Sequence, residues 1–156
     1  MEHNPYAKPT AVVRDDPSIP QGRPWPVWVI FVFIMFGAVS NAGFLVMLAL
    51  GKFPLTPETA TYFNGFSTFD YWLSMISIAL YVAAAIMLLR MRRVAFKLMI
   101  AHLVVGLGLI AYQFTRPGYA EMMNQSGGYV GMLVGEIIRV SIAIYVYQLL
   151  RAGRLQ

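Results

Sequence analysis

Apolar residues fall along this chain in four unbroken blocks, at 27–50, 69–89, 94–114 and 128–150, divided by short polar or aromatic stretches. A helix of about 20 residues crosses the roughly 30 Å hydrocarbon layer of a bilayer, and every block reaches that length. No proline interrupts any of them. Backbone groups in lipid must pair within their own segment, so each block is predicted to be a continuous helix. The pattern predicts an all-α polytopic membrane protein, a four-transmembrane-helix bundle. The first block is too long for the apolar region of a cleaved signal peptide, which is about 7–15 residues, and is read as a span.

The segments between the blocks carry their own signals. Thr56 before Pro57 reads as a cap followed by a first helical residue, predicting a short helix over 57–63. Ser67 with Asp70 three residues on reads as the start of the second span. A further short surface helix is expected over 117–123. The aromatic residues Tyr62, Phe63, Phe66, Phe69, Tyr71 and Trp72 are expected at one membrane interface, and Trp25 and Trp28 at the other. Asn124-Gln125-Ser126 matches a glycosylation acceptor, a short motif that matters only in a secretory pathway.

Residues 1–26 hold six of the nine prolines and have no helical period. They are expected to form a disordered, Pro-rich tail, because such a stretch buries too little apolar area to offset its ordering entropy. The domain reading is therefore a tail at 1–26, a membrane domain at 27–151, and a short tail at 152–156.

Composition settles the solvent. The chain is 58% hydrophobic and 12% charged, against about 45–50% and about 25% in ordinary soluble domains. Its partner by composition is the lipid bilayer. The net charge of +5 does not indicate nucleic acid, because the basic residues sit at the ends of apolar blocks. Lys8, Arg14, Arg23, Arg90, Arg92, Arg93, Lys97, Arg151 and Arg154 share one side; Lys52 and Arg116 lie on the other. The positive-inside rule then expects both termini in the cytoplasm, N-in and C-in. The absence of cysteine removes disulfides and thiolate chemistry.

Few residues inside the blocks can carry chemistry. Glu136 and Arg139 lie near the middle of the fourth block and three residues apart, on one helix face. A charge at that depth costs at least about 2.5–3.5 kcal/mol. The pair is read either as a structural ion pair or as a proton, ion or substrate site. Gly128, Gly131 and Gly135 form a row that leads to Arg139, and are read as a close-packing face, most simply against another span of this chain. His102, Asn41, Ser40, Ser74, Ser77 and Tyr81 are polar candidates in the other spans. Asp70 and Glu121 are read as isolated acids, and the methionines as gap-fillers. No motif of a hydrolase, zinc enzyme or phosphate loop is present; no catalytic residue, metal site or cofactor is assigned.

Two stretches carry a resemblance. Asn4-Pro5-Tyr6-Ala7-Lys8-Pro9 is similar to an NPYxxP-type leader of small proteobacterial inner-membrane proteins. Leu89-Arg90-Met91-Arg92-Arg93-Val94-Ala95-Phe96, with Arg139, Tyr147 and Arg154, resembles a family of four-span bacterial inner-membrane proteins, the YdgK-like group. The chain departs from it at Val94-Ala95-Phe96, where that group has a proline, and at Ala152-Gly153-Arg154-Leu155. The resemblance implies four spans in a bacterial inner membrane and no assigned activity. The expected function is a non-enzymatic accessory subunit that associates with a second copy or another membrane protein. The alternative is a small oligomeric transporter or channel built on Glu136 and Arg139.

Overall fold

The computed structural model describes residues 22–125 and 127–156. The leader, most of the Pro-rich tail and Ser126 of the acceptor motif lie outside the described residues. Among the described residues six helices form: α1 (Trp25–Ala49), α2 (Pro57–Asn64), α3 (Thr68–Leu89), α4 (Val94–Phe114), α5 (Tyr119–Gln125) and α6 (Gly128–Arg151). No strand occurs among the described residues. The four helices α1, α3, α4 and α6 are long and apolar enough to cross a membrane. Their ends fall within two residues of the predicted blocks, because lipid demands continuous helix wherever the chain is apolar.

Local chemistry fixes where the helices begin. The Thr56 side chain accepts from the Thr59 N–H, and Pro57 opens α2. Ser67 and Asp70 form a reciprocal capping box at the start of α3, in which the Asp70 carboxylate accepts from the Ser67 N–H at 2.6 Å. The ends are equally defined. At the end of α1, Lys52 N–H bonds to the Met47 carbonyl and Gly51 N–H to that of Leu48, with Gly51 left-handed. The same paired closure ends α3, but there Met91 takes the left-handed place, at φ 54°. Its side chain packs on the apolar core, and its carbonyl accepts from Gln156 N–H at 2.8 Å.

Residues 152–156, read from the sequence as a tail, fold back onto that turn. Arg93 N–H donates to the Gln156 carbonyl, Arg93 Nε donates to that of Leu155, and Leu155 is fully buried. One end of the bundle, the basic end, carries Arg90, Arg92, Arg93, Arg151 and Arg154. The opposite end, which carries α2 and α5, is the lid end.

The spans pack in a row, α1 on α3, α3 on α4, and α4 on α6. At the basic end all four meet in one apolar core, in which Val27, Ile34, Leu88, Ala95, Val146 and Leu155 are fully buried. At the lid end a second cluster joins Tyr62 and Phe66 to Tyr119, Met123 and Tyr129. The remaining apolar surface faces outward: Phe36, Trp72, Val104 and Ile137 are exposed all around the bundle. In water such coverage would be an aggregation surface; in lipid it is the expected solvent face. Phe69 and Trp72 are exposed on the outside of the bundle. Tyr62, grouped with them in the sequence, is instead 4% exposed and packs inward against Phe66 and Tyr119.

Candidate functional site

Between the two apolar clusters the spans do not close. A cavity of about 540 Å³ lies there, walled by α1 on one side and α6 on the other, with α3 and α4 at its back. Its volume is that of a small-molecule site. Each helix gives it one face, at spacings of three and four residues: Gly37 and Asn41 from α1; Ser74, Ser77 and Tyr81 from α3; His102, Gly106 and Gln113 from α4; Gly131, Gly135 and Arg139 from α6.

Glu136 and Arg139 both line it. The guanidinium donates to Glu136 Oε1 at 2.5 Å, and the side chains are 19% and 35% exposed respectively. Arg139 reaches across to α4, where a Cβ on Gly106 would stand 3.7 Å from Nη1. A guanidinium has five N–H donors. Among the described residues Glu136 is its hydrogen-bond partner, so most of that donor capacity is unspent at a side chain that borders the cavity.

One helical turn below Gly106 on the same face lies His102, 5% exposed. Its ring stacks on Tyr81, with centroids 4.2 Å apart and planes 10° from parallel. Nδ1 lies 3.4 Å from the Ser77 hydroxyl. Two atoms of this stack, His102 Nε2 and the Tyr81 hydroxyl, are buried without a hydrogen-bond partner in the protein. A buried polar group left unpaired costs about 1–3 kcal/mol, so two adjoining ones are an uncommon arrangement.

At Gly131 and Gly135 the close packing expected against another span of this chain is not seen. A Cβ on Gly131 or Gly135 would meet nothing within 4 Å. These glycines therefore do not seat another span of this chain; they widen the α6 wall of the cavity. Asn41 also stays within its own helix, donating to the Gly37 carbonyl at 2.8 Å.

The roof is held by a feature the sequence reading missed. Asp70 is not isolated: Arg116 Nη2 lies 3.0 Å from its carboxylate. The same guanidinium donates to the Gly65 carbonyl and to the Tyr112 hydroxyl. One side chain thus ties the α2–α3 turn to the end of α4. The signal was present in two opposite charges, each at the lid end of a span, but helix adjacency was needed to pair them. Above this latch, burial and the neighbouring Tyr119 hold the Tyr62 phenol above its ordinary range.

Among the described residues, no three acidic or histidine side chains gather as a metal-binding group. Comparison with protein-family models, curated proteins and solved structures finds no match to this chain.

Proposed function

We propose that this protein is a small membrane transporter whose cargo site is the cavity between α1 and α6, with Glu136 and Arg139 as its charged element. The observation that supports this is the direction of the pair. Among the described residues the pair forms within one helix, Arg139 touches α4 only at van der Waals distance beside Gly106, and both side chains border the open volume. The cavity is sealed at the basic end by the apolar core and roofed at the lid end by the aromatic cluster. Closure at both ends of the bundle suits a carrier that alternates between faces; an open channel would need a continuous path through the core. Gly131 and Gly135 border the cavity and touch no other span of this chain, which favours the cargo reading over close packing within the chain. The reading is non-enzymatic and rests on the missing catalytic motifs.

The chain has no cysteine, which makes single-cysteine reporters clean. A cysteine at Gly135 is expected to react with a membrane-impermeant maleimide from each face in turn, and Glu136→Gln to shift the ratio of the two rates. Reaction from one face only would sink the transporter reading.

We also propose a bacterial inner-membrane location with both termini in the cytoplasm, as the basic end and the YdgK-like resemblance imply. In sealed cells, Lys52→Cys should label from outside and Arg92→Cys only after permeabilisation. The reverse pattern would invert the topology.

A further inference from the structure

The cavity states more about its cargo than its size. Three groups point to a head group: the uncommitted donors of Arg139, the Tyr81 hydroxyl and His102 Nε2. In the tautomer that carries the ring proton on Nε2, Nδ1 accepts from the Ser77 hydroxyl and Nε2 is a donor too. The site then offers donors from three side chains and asks for an acceptor oxygen. The charge of Arg139 is already balanced by Glu136 at hydrogen-bond distance. A carboxylate cargo would gain the guanidinium but meet the Glu136 charge in a low-dielectric site, where like charges repel strongly. A neutral carbonyl meets only the donors.

The remaining lining fits an apolar body. Phe33, Phe44 and Leu45 of α1, with Phe63 and Phe66 beneath the lid, border the same cavity. Access is also directional. The roof is tight, with Tyr62 and Tyr119 each 4% exposed. The flank is not: α1 and α6 stand at opposite ends of the packed row, and both present glycines with nothing within 4 Å. A molecule dissolved in the bilayer therefore reaches the site between α1 and α6.

We infer that the cavity binds a membrane-soluble amphiphile with a neutral carbonyl head, its oxygen held by Arg139, Tyr81 and His102 and its apolar body lying along α1. This inference rests on the cavity being a cargo site, as proposed above. The carbonyl could belong to a ring or to an acyl ester, and the experiment separates them.

The full chain is placed in lipid nanodiscs, and partition of four probes is measured against empty nanodiscs: decylbenzoquinone, methyl dodecanoate, dodecanoate and dodecane. One or both carbonyl probes should bind above the empty-disc level; preference for the first names a ring head, and preference for the second an acyl head. Dodecane and dodecanoate should bind at least tenfold more weakly. Tyr81→Phe and His102→Phe keep the stacked rings and should each weaken binding about five- to tenfold, the loss of one hydrogen bond. A thermal melt run on each variant keeps the test sound. Tyr81→Phe removes an unpaired buried hydroxyl, so it should melt no lower than the parent. Equal binding of dodecane, tighter binding of dodecanoate, or parent-like affinity in both folded variants would overturn the assignment; the last would leave the two orphan atoms to a bound water. Carbonyl binding with Gly135→Cys reactive from one face only would retire the transporter and keep the ligand class. Reactivity from both faces without carbonyl preference would do the opposite.

Discussion

Replacing Glu136 by leucine is expected to destabilise the bundle by about 3 kcal/mol, the cost of an unpaired arginine near the middle of a span. Replacing Arg139 by leucine as well should return stability to within about 1 kcal/mol of the parent, since apolar substitutes for a buried ion pair are often neutral or better. Function should not return with it. The double variant has lost the guanidinium that faces the cavity, so Gly135→Cys in that background should no longer label from both faces. Thermal unfolding in mild detergent reads the first effect and maleimide labelling the second. A double variant that is stable and still alternates would reduce the pair to a structural part.

Arg116→Ala is expected to cost a similar amount, about 3 kcal/mol, for a different reason. Its guanidinium serves the Gly65 carbonyl, the Asp70 carboxylate and the Tyr112 hydroxyl. Asp70 is 5% exposed, and removing one partner of a buried pair leaves the other charge uncompensated. The capping box from Ser67 survives, so α3 should keep its start while the roof loosens. A cysteine at Gly135 should then react faster from the lid face. Arg116→Lys should recover only part of the loss, because an ammonium cannot serve three acceptors in the guanidinium geometry. Unchanged melting and labelling in Arg116→Ala would show that the aromatic contacts hold the roof unaided.

The spans were legible because lipid imposes a rule that acts on every residue of a block at once. The caps at Thr56 and Ser67 were legible because they satisfy donors only a few residues away. Glu136 and Arg139 announced themselves by their cost at depth. What the sequence hid depends on which helices are neighbours. A glycine row has the same spacing whether it seats a helix or borders a void, so Gly131 and Gly135 read as packing residues. Asp70 and Arg116 are 46 positions apart, and nothing local joins them. The stack of Tyr81 on His102 is likewise a meeting of α3 and α4 that no spacing within either helix reveals.

The two spans that wall the cavity share one further trait. α1 hands over to the lid at Gly51 and α6 receives the chain from it at Gly127, both at φ 63° and both with free space where a Cβ would stand. The inner pair, α3 and α4, is instead pinned to the roof by Arg116. The molecule is thus jointed like a cabinet, with a fixed back panel and two doors, each door meeting its frame at a single left-handed residue that side chains other than glycine rarely tolerate.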